Sequence, residues 1–263
     1  MKRIFAPLAI VVSLTACGIS QQQEVQMGQE YSQQINAQLP IVSDPEANRY
    51  INVLGDQIAS HTSRADLDWH FYIVDSKEVN AFAVPGGYVY VNRGLIERTT
   101  AMDELAGVLG HEIGHVVRRH SIKQMEQAQG ANIGVTLACV LTSVCNSQAA
   151  GALINIGGTA VFARFSRQDE AEADQEGVVN TIRANISPNG MVTMFEKLLA
   201  ERKSRPAAVE SWFATHPLEE DRIAAVRAQI AAIPAAQLRG LQTNSANYNS
   251  FASRVRSLPA SRQ

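Results

Sequence analysis

The sequence predicts an α+β fold, mainly helical, with a small β-sheet beside one long apolar helix. Three observations predict it. Capping and first-turn proline signals open helices at Asp44-Pro45, Thr100, Ser166, Ser187-Pro188 and Pro217. Short β-rich runs occur only between residues 69 and 91, too few for an all-β protein. The 263 residues are 46% hydrophobic and 18% charged, with 23 Lys+Arg against 25 Asp+Glu, which is globular composition. A formal net charge of −2 excludes a nucleic-acid binder that works by counterion release.

In chain order, Lys2 and Arg3 precede an apolar stretch, 4–14, too short to span a bilayer comfortably. The following Leu14-Thr15-Ala16-Cys17 resembles a bacterial lipobox, which implies a signal peptide over 1–16, lipid on Cys17 and a mature chain of 263 − 16 = 247 residues. Gly18 after the cysteine is similar to lipoproteins of the outer membrane. Residues 17–38 read as the lipidated cysteine and a Gln-rich polar tether merging into a first helix, before a main domain over 39–233.

Within that domain Tyr50, Ile51, Leu54 and Ile58 follow Asp44-Pro45 at helical spacing. Residues 69–74, 79–84 and 88–91 read as strands, the last two joined by Pro85-Gly86-Gly87, which suits a tight turn. Thr100 with Asp103 reads as a capping box for a helix through Leu105, Val108, Leu109 and Val116, and Ser166 with Asp169 as another. Met191, Met194, Phe195 and Leu198 mark a third such helix, and Ile223, Val226 and Ile230 a fourth. From Pro234 the signal fades into a polar, Ala-rich C-terminal tail, 234–263.

Residues 127–163 contain no Asp, Glu, Lys, Arg or His. Asn132, Thr136, Thr142, Ser143, Asn146, Ser147, Gln148 and Asn155 interrupt the stretch, so a helical hairpin is expected rather than a membrane span, covering the active site or touching membrane or a partner. Cys139 and Cys145 lie six apart, a rise of about 9 Å on one helix, beyond the roughly 7 Å reach of a disulfide. A disulfide between them therefore needs a turn, which is the expectation; two buried thiols on one helix are the alternative.

The informative motif is His111-Glu112-Ile113-Gly114-His115. Histidines four apart share a helix face and can bind one divalent ion, with the intervening Glu placed to polarise a metal-bound water. Val108, Leu109, Ile113 and Val116 make the helix apolar, which argues against a solvated face. A third protein ligand is wanted. Position 121 is Ser, and His120, nine residues past His111, would point to the opposite side of a continuous helix. The acidic cluster 170–176 is the best source: Glu170 and Asp174 face one way, so one could ligate while the other orients a ligating His. Spacing does not separate Glu170 from Glu172.

His-Glu-Ile-Gly-His at 111–115, Phe-Ser-Arg-Gln-Asp-Glu-Ala-Glu-Ala-Asp at 165–174 and Thr-His-Pro-Leu-Glu-Glu-Asp-Arg-Ile at 215–223, with Asn-Ala-Phe-Ala at 80–83, together resemble metallopeptidase family forty-eight, the gluzincins that include the prenyl-protein and heat-shock proteases and periplasmic lipoproteases. The resemblance covers about residues 44–230 and implies a zincin-like metallopeptidase domain with one zinc ion per chain on His111, His115 and Glu170. It further implies Glu112 as the base, Asp174 as an orienting carboxylate, and His216 and Arg222 near the metal, stabilising charge or gating access. Asn80, Ala81, Phe82 and Ala83 would offer substrate a strand edge. The function so implied is a membrane-anchored periplasmic endopeptidase that degrades misfolded or misassembled envelope proteins. The alternative is a chaperone-like outer-membrane assembly factor; an intact Glu112 and the lack of a helical repeat array after Pro234 favour the enzyme.

Overall fold

A computed structural model describes residues 18–130, 164–217 and 220–259. Its sheet has three strands, β1 (His70–Val74), β2 (Ala81–Val84) and β3 (Tyr88–Asn92), in the order β1-β3-β2. β1 runs parallel to β3, with Tyr72 opposite Tyr90, and β2 antiparallel to it, with Phe82 opposite Tyr90. The β2–β3 turn needs positive φ at two consecutive residues, met by Gly86 (φ 83°) and Gly87 (φ 100°).

Strand alternation sends side chains to two buried faces. Phe71, Ile73, Ala81, Ala83, Val89 and Val91 join the main core, with α2 (Pro45–Ala59) and the long α4 (Met102–Val117). Val74, Phe82, Val84 and Tyr90 face the other way, onto Tyr31 and Ile35 of α1 (Gln21–Gln38). The Gln-rich segment expected to be a tether merging into a helix is thus helical throughout. Ser20 caps it through a box with Gln23, and it covers a sheet face that would otherwise meet water.

After the single turn α3 (Arg93–Ile96), the helix bearing the His motif is buried on almost every side. It begins at Met102 with Ala101 at its N-cap, so the box expected from Thr100 and Asp103 does not form; instead Glu104 accepts from the Thr100 N–H at 2.7 Å. The helix ends because Arg119 adopts a left-handed conformation (φ 56°), and α5 (His120–Gly130) starts afresh beyond it. α6 (Arg167–Arg183), opened by the expected Ser166–Asp169 box, and α7 (Asn189–Ser204) pack on α4. α8 (Pro206–Thr215) and α9 (Glu220–Ala231) complete the domain; α8, with Pro206 in its first turn, was not anticipated.

The tail contains α10 (Ala235–Leu238) and α11 (Ala246–Ser257), the latter capped by Ser245. Tyr248, Phe251, Ala252 and Val255 of α11 are buried, and Phe251 stacks on Tyr50 of α2 at 4.5 Å. The tail is therefore part of the packed core. No helix among the described residues is long and apolar enough to cross a membrane. Cys17, Cys139 and Cys145, and residues 131–163 of the expected hairpin, lie outside the described residues.

Candidate metal centre and active site

The i,i+4 spacing on α4 brings His111 Nε2 and His115 Nε2 to 3.0 Å. The N-terminal turn of α6 supplies Glu170, whose carboxylate oxygens lie 3.4 Å from His115 Nε2 and 3.6 Å from His111 Nε2. From the C-terminus of α8, His216 places Nδ1 3.3 Å from His111 Nε2 and 3.1 Å from Glu170 Oε1. All four side chains are buried, and their ligand atoms lie within 4.8 Å of one another. Around a zinc ion with ligands at 2.0–2.2 Å, neighbouring corners of a tetrahedron are about 3.3–3.6 Å apart, so these separations suit one such ion. Two further buried atoms, Glu112 Oε1 and His216 Nε2, have no hydrogen-bond partner among the described residues and face each other at 3.5 Å. Buried polar atoms without partners are costly, and a metal with its water would satisfy this set.

The outer side of the cluster is held by charge. His111 Nδ1 meets Asp174 Oδ1 at 2.9 Å, the carboxylate–imidazole pairing that fixes a ligating histidine. Arg222, from α9, grips Asp174 through Nε (2.5 Å) and Nη2 (2.8 Å) and pairs with Glu170 through Nη1. Its guanidinium also lies over the Phe195 ring, 4.6 Å from the centroid. Arg222 thus braces two carboxylates and brings Nη2 to 3.2 Å from His111 Nδ1. Trp212 stacks on His216 at 4.7 Å and Phe165 on His115 at 3.8 Å, setting the ring planes.

Electrostatics follow this arrangement. Burial raises the Glu112 pKa and drives that of His115 well down, so Glu112 resists losing its proton and His115 resists gaining one. Burial opposes ionisation of Glu170 and Asp174 most strongly, yet Arg222 and the neighbouring histidines hold both carboxyls below their usual range. Burial likewise opposes charging of His216, but Glu112 and Glu170 outweigh it and raise its pKa.

Seven residues singled out in the sequence, His111, Glu112, His115, Glu170, Asp174, His216 and Arg222, therefore meet in one place. The structure also separates Glu170, which is buried among the histidines, from Glu172, which sits outside near His120. Ala81, Phe82 and Ala83 lie on β2, an edge of the sheet that packs against α4; Asn80 precedes them, buried, with an unpartnered Oδ1 among the described residues. None of these four belongs to the ligand group. His120 was excluded by assuming a continuous helix. The break at Arg119 turns it back beneath His115, with the two Nδ1 atoms 2.9 Å apart. No Gly or Pro announces that break.

The model of peptidase family M48 matches residues 45–230. The chain belongs to this family. It is 36% identical over 216 residues to the beta-barrel assembly-enhancing protease of Escherichia coli (strain K12), an alignment covering 78% of this chain and 43% of that protein. It is 28% identical over 218 residues to Metalloprotease LoiP of the same organism, covering 82% of this chain and 84% of that one. To the mitochondrial metalloendopeptidase OMA1 of Schizosaccharomyces pombe it is 30% identical over 174 residues, covering 66% and 50%. The chain thus spans less than half the length of the assembly-enhancing protease it matches.

Proposed function

We propose that this M48 chain is a zinc metalloendopeptidase, binding one zinc ion on His111, His115 and Glu170 and cleaving misfolded or misassembled proteins of the bacterial envelope. The observation that carries the reading is the buried cluster of ligand atoms with Glu112 beside it. Zinc held there would polarise a water and the scissile carbonyl. Glu112, whose desolvated carboxylate is a stronger base than an exposed one, takes the proton of the attacking water and delivers it to the leaving amine. Asp174 and Arg222 keep His111 and Glu170 in place while charge develops. With zinc on the other three side chains, His216 Nδ1 would take the remaining ligand position, which water and substrate would need. In this position His216 would gate the site. The β2 edge, against α4, supports binding of an extended peptide by strand addition along Asn80, Ala81, Phe82 and Ala83.

The lipobox-like sequence supports anchoring through lipid on Cys17, outer-membrane localisation facing the periplasm, and a disulfide-permissive compartment for Cys139 and Cys145. The name of the assembly-enhancing protease supports envelope proteins as the substrate class.

The test is zinc content and casein cleavage of the purified protein beside Glu112→Gln, with and without chelator. Retention of about one zinc per chain in both, with cleavage only by the parent and lost on chelation, is expected. Zinc without cleavage in either form would favour the chaperone-like assembly factor; no zinc in the parent would refute the metal centre.

A further inference from the structure

We propose that His120 is a positioning residue for His115, connecting it to the carboxylates of Glu172 and Asp169 on α6. The inference rests on the metal-centre reading above. His115 turns Nε2 towards Glu170 and His111, which leaves Nδ1 facing away, 2.9 Å from His120 Nδ1. A neutral imidazole that ligates through one nitrogen carries its proton on the other. His115 Nδ1–H therefore donates, and His120 Nδ1 accepts. The His120 proton must then sit on Nε2, which faces Glu172 Oε2 at 3.4 Å and Asp169 Oδ1 at 3.6 Å. Each donor in the chain has an acceptor, and the series ends on anionic groups, with Lys123 Nζ 3.8 Å from Glu172 balancing their charge.

The two zinc ligands on α4 are thereby oriented from the same helix by different means. His111 lies level with Asp174 and reaches it directly. His115, one turn on, has the ring of His120 between its Nδ1 and the carboxylates of Asp169 and Glu172. His120 is fully buried at the first position of a helix of mostly polar sequence, with its ring 6.0 Å from that of Phe165. Such placement is costly for a polar ring unless its nitrogens are used. The stacked Phe165 fixes the His115 ring plane but offers Nδ1 no hydrogen bond; among the described residues its partner is His120.

Zinc affinity, measured on the full chain by competition with a fluorescent chelator, tests this, with thermal unfolding of the metal-free form beside it. His120→Ala should bind zinc about 10–100-fold more weakly, and the metal-free midpoint, lowered by the cavity, should fall less than the zinc-loaded one. His120→Asn, whose amide oxygen can stand near the lost Nδ1, should recover most of the affinity. Glu172→Gln, at a partly exposed position, should weaken binding several-fold. A parent that binds zinc while His120→Ala stays within twofold of it overturns the proposal, as does a metal-free midpoint that falls as far as the zinc-loaded one. If His120→Ala does not fold, Glu172→Gln decides, unchanged affinity counting against the relay. A parent without zinc defeats the metal-centre reading instead.

Discussion

The metal centre depends on how closely α4 approaches α6, and Gly114 sets that distance. A Cβ built on Gly114 would lie 2.6 Å from the Ala173 carbonyl oxygen and 2.9 Å from Ala173 Cα, both backbone atoms that cannot rotate away. Ordinary contact begins near 3.4 Å, so Gly114→Ala must part the helices by about 3.4 − 2.6 = 0.8 Å. Gly114 adjoins His115, and Ala173 adjoins Asp174 one turn after Glu170. The displacement therefore falls on the proposed ligands of both helices, whose distances to a bound metal would tolerate only about 0.2 Å. Overpacking costs about 1–3 kcal/mol, and replacing a helical glycine with alanine returns roughly 1 kcal/mol. The net loss, about 0–2 kcal/mol, lowers the thermal midpoint by at most about 8 °C, at about 2–4 °C per kcal/mol for a chain of this size. Zinc affinity should fall at least about tenfold. Chelator competition and calorimetry on the same preparations separate the two effects. A variant with parental zinc affinity, or one equally crippled in folding and binding, would refute the claim that this contact sets the ligand geometry.

Two further outcomes follow from the site and the helix that carries it. His216→Ala removes one potential ligand and frees the fourth corner, so zinc should remain on three ligands and casein cleavage should rise; a loss of cleavage by about 100-fold or more would instead assign His216 to the oxyanion. Burial, with Glu104 beside it, pushes the Asp103 carboxyl from 3.8 up to about 6. Because the folded-state value is the higher, the native protein binds this proton more tightly: the stabilising contribution is full below about pH 3.8 and is lost as pH rises through about 6. The full displacement is worth at most about 3 kcal/mol, which screening and the favourable helix N-terminus reduce to about 1 kcal/mol. Asp103→Asn should therefore stabilise the protein at pH 8 and not at pH 4, in denaturant titrations at both; a pH-independent difference would show that Asp103 is not destabilised by its charge.

What the sequence made legible is local. The i,i+4 histidines need only helical geometry to converge, and the Ser166–Asp169 box starts α6 in the register that points Glu170 and Asp174 the same way. The tail helix was readable too, since Tyr248, Phe251, Ala252 and Val255 keep helical spacing, but short apolar stripes in polar sequence are weak signals. The Thr100 box failed because Glu104, one position further on, takes the Thr100 N–H and holds Lys197 at 2.7 Å. His216 and Arg222 could not have been placed by spacing at all: their distances to Glu170 are fixed by α8 and α9 packing on α7, not by their own six-residue separation.

The least legible feature joins the most polar segment to the most buried one. Glu24 of α1 is fully buried and pairs with Arg64 at 2.6 Å and with Arg119 Nε at 2.8 Å, while Arg64 also donates to the Val116 carbonyl at the end of α4. A left-handed arginine is unfavourable on its own. Here the carboxylate of Glu24, 95 residues away in sequence, and the Ile19 carbonyl hold the Arg119 guanidinium where that backbone turn requires it. Without the turn α4 would continue and carry His120 to the side opposite His111, which is what the sequence alone implies. A segment that reads as a polar tether merging into a helix thus ends the helix of the His motif, and by ending it sets His120 against the ring of His115.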